Sequence, residues 1–321
     1  VNTGQSSSTA GIHLSYRRHP TECIRLAGGN MYRGHSIGVV VPAYNEEGFV
    51  GEVIDTIPEY VDRVYVIDDC STDGTWEEIT THAERANQRA RQSGPLAVDE
   101  ELRPVPVEPV EESGIIEADG GTAEGELLFD PRIVPIQHEE NRGVGGAIKT
   151  GYTRALKDDI DITAVMGGDG QMDPEILPGF LDPIVEDEAD YAKGNRLLYE
   201  EYREGMSKWR FFGNSILTFL TKIASGYWKT MDPQNGYTAI SKYALENVGI
   251  GSMYEYYGYC NDLLVKLNAK GMRVADVAMP AVYGDEASSI KYRTYIRKVS
   301  VMLLQNFFWR LKTKYLVLDF H

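Results

Sequence analysis

The sequence predicts an α/β fold built on a mostly parallel sheet, and three observations carry that prediction. Apolar runs of strand length (IGVVVPA, RVYVID, RIVPI, ITAVM) each stop at a turn signal. Stretches long enough to be helices separate them, an alternation that belongs to a parallel sheet rather than to hairpins. Carboxylates follow two of the runs, Asp68 and Asp69 after one and Asp169 after another. In open sheets of this kind, ligands bind beyond the carboxyl ends of the strands.

Taken in order, the run through IGVVVPAYNEE is continuously apolar until Pro42, as in a strand buried on both faces. A helix is expected from Glu46 to Ile57. RVYVIDDCSTDGT repeats the pattern of strand, acidic end and turn, with Thr75 the expected cap of a helix through WEEITTHAERANQRARQ. RIVPIQHEEN is the third strand, and the next helix is expected from about Val144 to Lys157. In DITAVMGGDG, Val165 and Met166 are the last buried residues, Gly167 and Gly168 allow a tight turn, and Asp169 projects at the strand end. Asp173-Pro174-Glu175 reads as the cap and first turn of a new helix.

Composition bounds the function. A chain of 321 residues can bury a sizeable core, and 42% hydrophobic with 10% aromatic content is that of a globular protein. The formal net charge of −16 argues against a nucleic-acid binder, which carries a basic footprint. It fits a protein kept soluble at high salt (a halophilic one) or an acidic cytosolic enzyme. Cys23, Cys70 and Cys260 form no C-x-x-C pair, so neither structural zinc nor a disulfide framework is expected, and a reducing compartment is. No stretch reaches the length of apolar residues that spans a membrane, and the N-terminus lacks the apolar core of a signal peptide.

Residues 1–35 read as a polar extension and 36–286 as the main domain, interrupted by an acidic insertion over 95–130 that holds eleven acids and one base, Arg103. Residues 287–321 reverse the sign. Lys291 to Lys314 holds seven bases and no acids, interleaved with apolar and aromatic side chains. A basic, aromatic amphipathic helix suits the membrane interface, although a helix packed on the domain with its bases in water has the same composition. The closing KYLVLDFH is apolar, as though transmembrane helices followed in the natural protein.

NRGVGGAIKTG follows a strand and opens a helix, as a phosphate loop would. A Walker A loop needs Gly immediately before Lys-Thr, and Ile148 stands there, so a P-loop NTPase is excluded. Such a helix start favours nearby negative charge, but close packing of helix on sheet explains its glycines equally.

The set of motifs is more specific than any one of them. VVVPAYNEE, VIDDCSTDGT, NRGVGGAIKTGY, GDGQMDP, AKGNRL, MDPQNGYTAIS and SSIKYR, in that order over residues 36 to 295, resemble the family 2 glycosyltransferases of GT-A fold, and within them the dolichyl-phosphate mannose synthase type. The resemblance implies nucleotide binding at Pro42, Tyr44 and Glu46, and base reading at Ile67 and Asp69, a carboxylate that accepts from uracil or guanine alike. It implies a metal site of Mg²⁺ or Mn²⁺ at Asp169 and Gln171, with Gly168 beside the sugar. Arg196 would lie near the diphosphate, and Asp232 on the sugar and acceptor side. Ser288, Ser289, Lys291 and Arg293 would hold a lipid phosphate.

Two positions depart from the family pattern. Gly167-Gly168-Asp169 stands where two acids usually flank one residue, so a reduced metal site is expected, completed by diphosphate oxygens and water. Thr238 stands where the synthases often carry arginine. The implied activity is inverting transfer from a UDP- or GDP-sugar to dolichyl (polyprenyl) phosphate at the cytoplasmic membrane face. An anionic phosphate attacks unaided, whereas a hydroxyl of a lipid-linked saccharide, in protein glycosylation or surface polysaccharide assembly, needs a general base. Asp262 occupies the family's place for that base, and a helix-start residue favoured by the dipole is the equal alternative. A non-catalytic nucleotide-sugar binding module would bind donor without turnover. A sugar-nucleotide pyrophosphorylase would carry G-x-G-T-R-L after the first strand, where this chain has PAYNEE.

Overall fold

A computed structural model describes residues 31–93, 131–197, 208–280 and 292–318. Most of the polar extension, the insertion over 95–130, and Ser288, Ser289 and Lys291 lie outside the described residues. Arg293 falls within a helix, but its side chain is not among those described.

Among the described residues seven strands form one sheet: β1 (Ile37–Ala43), β2 (Arg63–Asp68), β3 (Ile133–Gln137), β4 (Ile162–Val165), β5 (Tyr191–Asn195), β6 (Thr238–Ser241) and β7 (Val274–Ala278), in the spatial order β3-β2-β1-β4-β6-β5-β7. The described helices are α1 (Val50–Thr56), α2 (Thr75–Ser93), α3 (Val144–Lys157), α4 (Leu177–Val185), α5 (Lys208–Ser225), α6 (Lys242–Asn247), α7 (Tyr259–Ala269) and α8 (Tyr292–Leu311). The sheet is mostly parallel, as expected; β6 runs antiparallel to both of its neighbours.

Side-chain alternation divides the core. From β1, Ile37, Val39 and Val41 join α1, α2 and α4 on one face, while Val40 joins α3, α6 and α7 on the other. All four are fully buried, which is why the sequence there shows a continuous apolar run rather than alternation. Each such burial is worth roughly 1.5–3 kcal/mol relative to exposure. Close seating of α3 on β1 depends on Gly151, where an added Cβ would lie 2.4 Å from Val40 Cγ1. A third cluster joins Leu217 and Ala224 of α5, Val265 of α7, and Val299, Met302 and Leu303 of α8.

Three local expectations change. The first helix begins at Val50 rather than Glu46, because Asn45 (φ 56°) and Gly48 (φ 87°) hold the preceding residues in left-handed turns. Asp73, not Thr75, receives the first amide of α2: its Oδ1 accepts from Thr75 N at 3.1 Å, while Thr75 Oγ1 accepts from Glu46 N at 2.8 Å. The bases of α8 do not all face water, since Arg310 is buried and donates to Asn268 Oδ1 and the Ile223 carbonyl. The expected start at Asp173 holds, with its side chain accepting from Glu175 N at 2.8 Å ahead of Pro174–Ile176 and α4.

The chain lays β1, β2 and β3 to one side, then returns to the other side of β1 for β4. The connections therefore diverge between β1 and β4, and their carboxyl ends form a crevice there.

Candidate functional site

The crevice is closed at its base by direct contact between the two strand ends. Gly168 N donates to the Pro42 carbonyl at 3.2 Å, and a Cβ on Gly168 would lie 3.1 Å from that oxygen and 3.2 Å from Ala43 Cβ. Glycine lets the backbone after β4 lie this close to the end of β1, where a side chain would push the neighbouring atoms back by a few tenths of an ångström. Tyr44 is exposed and Glu46 half-buried at the same edge.

Asp169 is half-buried, and its Oδ1 accepts from Gln171 N at 3.1 Å. Burial raises its pKa, with the Gln171 amide pulling the other way, so its charge lacks full compensation from the protein. At the position of the missing second acid, a Cβ on Gly167 would meet Asp169 Oδ1 at 2.8 Å, so a side chain there requires the Asp169 carboxylate to turn. Among the described residues no group of three His, Cys, Asp or Glu side chains is arranged to hold a metal. The oxygen-bearing side chains that the motif brings to this strand end are those of Asp169 and Gln171. One under-compensated carboxylate fits Mg²⁺ or Mn²⁺ bound mainly through phosphate oxygens and water.

Tyr257, absent from the sequence-based site, stands over the same region. Burial raises its phenol pKa, and the nearby charges of Glu46 and Asp169 add to the shift. Its signal in the sequence is weak, one tyrosine in the run MYEYYGY, because only the loop before α7 brings it to the crevice.

At the end of β2 the two predicted base readers separate. Ile67 is fully buried in the core between Pro42 and Ile136 of the neighbouring strands, so its side chain does not reach a ligand. Asp69 remains at the strand end, held by its backbone N–H on the Ala43 carbonyl at 2.9 Å. Its Oδ1 pairs with His138 Nδ1 at 2.8 Å and accepts from Arg142 N at 2.9 Å. Asp68 beside it is structural, accepting from Ser71 N and Gln137 Nε2.

Arg196 and Asp232 come together as a pair. Arg196 Nε and Nη2 donate to Asp232 Oδ2 and Oδ1 at 2.7 and 2.9 Å, and Arg196 N also donates to Oδ2 at 3.2 Å. Burial opposes the charge on Asp232, yet Arg196 and Lys193 together hold its carboxyl below the ordinary value. Lys193, also missed in the sequence, is buried. It donates to Asp276 Oδ1 at 3.1 Å and to the carbonyls of Gly194 and Met231. Asp276 Oδ2 in turn accepts from Met231 N at 2.8 Å and Asn195 Nδ2 at 3.0 Å. Strand ends β5 and β7 thereby fix the loop that carries Asp232. Two residues further on, both amide atoms of Gln234 are buried without a hydrogen-bond partner among the described residues.

Asp262, the expected base, lies in the first turn of α7 and is 3% exposed. Its Oδ2 accepts from Tyr254 N at 2.9 Å and Lys266 Nζ at 2.6 Å, and its Oδ1 accepts from Asn306 Nδ2 at 2.7 Å. Both oxygens accept from the protein's own donors, the arrangement of an ion pair buried within α7 and tied to α8 through Asn306.

The glycine-rich start of α3 is likewise filled from within. Gly146 N donates to the Glu255 carbonyl at 2.9 Å, and a Cβ on Gly145 would lie 2.3 Å from the Tyr254 carbonyl. Glu255 itself accepts from Lys149 at 3.0 Å and Arg142 at 3.3 Å. Close packing explains these glycines, against the 254–256 segment for Gly143 and Gly145, against Arg142 for Gly146 and against the sheet for Gly151.

The pattern that defines the family described as Glycosyl transferase family 2 matches residues 38–92 and 122–249. The UDP-N-acetylglucosamine–dolichyl-phosphate N-acetylglucosaminyltransferase of Methanococcus voltae is 25% identical over 276 residues, covering 86% of this chain and 94% of that protein. An uncharacterized protein of Methanocaldococcus jannaschii is 25% identical over 255 residues, covering 79% of this chain and 84% of its own. Among solved structures, glucosyl-3-phosphoglycerate synthase from Mycobacterium tuberculosis with Mn²⁺, UDP and glucosyl-3-phosphoglycerate superposes with a TM-score of 0.55 at 19% identity, over 85% of this chain and 80% of that one. The same enzyme with Mg²⁺ and UDP gives 0.51 at 20% identity, over 85% and 80%. At these identities the structural likeness speaks for the fold, the GT-A arrangement expected from the motifs.

Proposed function

Because the chain belongs to glycosyl transferase family 2, we propose that it carries a sugar from a nucleotide donor to dolichyl (polyprenyl) phosphate at the cytoplasmic membrane face, with inversion at the anomeric carbon. The observation that carries the acceptor assignment is the state of Asp262. Three of the protein's own donors, one of them the Lys266 ammonium, already bind its two oxygens, and it is 3% exposed, so it is a poor base for an incoming hydroxyl. A phosphate acceptor has no such need, because a phosphate monoester is anionic at neutral pH. Its oxygen bonds the anomeric carbon as the bond to the diphosphate breaks, and the electron pair leaves with the nucleoside diphosphate. The named relative, a dolichyl-phosphate sugar transferase, supports this choice.

The chain's own residues divide the work. Pro42, Tyr44, Glu46 and Asp69 bind the nucleotide, and Gly168 lets the sugar approach the backbone. Asp169 and Gln171 would hold a divalent cation, Mg²⁺ or Mn²⁺, which when bound supplies Lewis-acid neutralisation of the leaving diphosphate. Arg196 adds positive charge there. Asp232 fixes its guanidinium in advance, so little reorganisation is needed as charge develops. Ser289, Lys291 and Arg293 are assigned to the lipid phosphate.

Membrane association is supported by exposed apolar stripes at matched spacing: Ile216, Phe219 and Ile223 on α5, and Val301, Leu304 and Phe308 on α8. Exposed Arg297, Lys298 and Lys312 accompany the second stripe. This is the composition of an interfacial surface on anionic lipid. Among the described residues no helix is long and apolar enough to cross a membrane.

The test is to incubate the protein and Mn²⁺ with labelled UDP- and GDP-sugars and vesicles containing dolichyl phosphate, then count label in the lipid extract. Labelled lipid phosphate is the expected product. Donor binding without transfer would leave a binding module, and label appearing only on lipid-linked saccharide would move the acceptor to a hydroxyl.

A further inference from the structure

Asp69 is not an open carboxylate. Oδ1 is taken by His138 Nδ1 at 2.8 Å and by Arg142 N at 2.9 Å, while Oδ2 takes no hydrogen bond among the described residues. A carboxylate only accepts, so Nδ1 is the protonated nitrogen of His138. The ring is held at its other end by Thr150 Oγ1, 2.9 Å from Nε2. Asp69 is 2% exposed and His138 9% exposed, so the pair sits in packed surroundings and has little freedom to rotate. Asn141 Nδ2 adds a bond to the Asp69 carbonyl at 3.1 Å. Four elements of the chain thus converge to fix one carboxyl group: β2, the 138–142 loop, α3 and, through the Ala43 carbonyl, β1.

Resting on the glycosyltransferase reading, we infer that His138 is a specificity-determining positioning residue: by occupying Oδ1 it makes Asp69 a single-acceptor reader, suited to the imide N–H of uracil and unsuited to guanine. Guanine presents N1–H and the N2 amino group side by side, a pattern that needs both carboxylate oxygens. With Oδ1 engaged, one of those donors is left unpaired in a desolvated site. Uracil presents one N–H between two carbonyl oxygens. A second free carboxylate oxygen would face one of those carbonyls and repel it, so turning Oδ1 into the protein removes the clash as well as the extra acceptor. A bare Asp at this strand end is indifferent between the two bases. The neighbouring imidazole and amide remove that indifference.

The experiment is calorimetric titration of the full chain with UDP and with GDP in the presence of Mn²⁺, for wild type, His138→Ala and His138→Asn, with circular dichroism on each. Wild type is expected to favour UDP by about tenfold or more, the scale of one base-edge discrimination. His138→Ala frees one of the two acceptor sites of Oδ1, Arg142 N keeping the other, and brings the two affinities to within about threefold, whereas His138→Asn, whose amide N–H can replace that of Nδ1, keeps most of the preference. A histidine that merely supports the fold would weaken both nucleotides in proportion, and an unchanged UDP/GDP ratio in His138→Ala overturns the inference. Equal or tighter GDP binding by wild type overturns it without any variant. Binding of neither nucleotide removes the glycosyltransferase reading along with it, whereas UDP binding with an unmoved ratio removes only the role of His138.

Discussion

Arg196 closes on Asp232 through two parallel hydrogen bonds of 2.7 and 2.9 Å, and the carboxylate that receives them is 1% exposed. The sequence placed these residues in separate roles, one near the diphosphate and one near the sugar. Tertiary structure makes them one unit, backed by Lys193 and Asp276. A charge held this way is positioned before substrate arrives, at the cost of burying a carboxylate that cannot lose its partner cheaply.

Removing that partner should be expensive. Arg196→Ala is expected to destabilise the fold by about 3–5 kcal/mol, because it leaves Asp232 buried and uncompensated. Arg196→Lys keeps a charge but not the paired geometry, and should keep most of the stability while losing at least about tenfold in kcat. Urea unfolding together with steady-state transfer rates separates the two effects.

The pH response of the pair has a definite sign. Asp232 titrates below its ordinary 3.8 in the folded state, so folding favours its ionised form. Its stabilisation is fully present above that ordinary value and is lost as pH falls through the lower, folded one. Wild-type stability should therefore drop on acidification below about 3.8, and the drop should be smaller in an Asp232→Asn, Arg196→Met double variant. Unfolding midpoints across an acid pH series check this.

Asp169 has the opposite sign. Its folded pKa is raised by burial, so its contribution to stability is present below the ordinary 3.8 and is lost as pH rises through the higher, folded value. At neutral pH, Asp169→Asn should match or exceed wild type in metal-free melting temperature, while losing Mn²⁺-dependent UDP binding. A stable variant that still binds UDP with full Mn²⁺ dependence would displace Asp169 from the metal site.

Restoring the second acid tests the reduced site from the other side. Gly167→Asp puts a Cβ 2.8 Å from the present position of Asp169 Oδ1, so the two carboxylates must rearrange and repel. The variant is expected to melt earlier without metal and to show a larger Mn²⁺-induced rise in melting temperature than wild type. No difference in the Mn²⁺ effect would mean that position 167 does not face the ion.

Asp262 offers a separation of fold from chemistry. Asp262→Ala leaves Lys266 buried without its partner and should cost about 3–5 kcal/mol, which resembles loss of a catalytic base if activity alone is measured. The double variant Asp262→Leu, Lys266→Met replaces the pair with apolar volume and should recover much of the stability. With a phosphate acceptor, the double variant also recovers lipid labelling to within about tenfold of wild type. A stable but inactive double variant would return Asp262 to the role of base.

The sequence by itself determined the layered α/β architecture. Strands buried on both faces must be continuous apolar runs, and a helix seated on a sheet must carry small residues where it touches, as Gly151 does against Val40. These are local consequences of burial, so the span Val144–Lys157 could be read to the residue. The position of Asp169 at a strand end followed equally from local pattern. Tertiary structure alone decided which charges are free. His138 meets Asp69 across 69 positions, Asn306 meets Asp262 across 44 and Arg196 meets Asp232 across 36. Residue type and spacing cannot reveal such pairings, because a carboxylate's availability depends on what the fold brings to each oxygen. Ile67 makes the same point for an apolar residue: the order of strands buries it, and nothing within its own segment decides which side chain at a strand end meets the ligand.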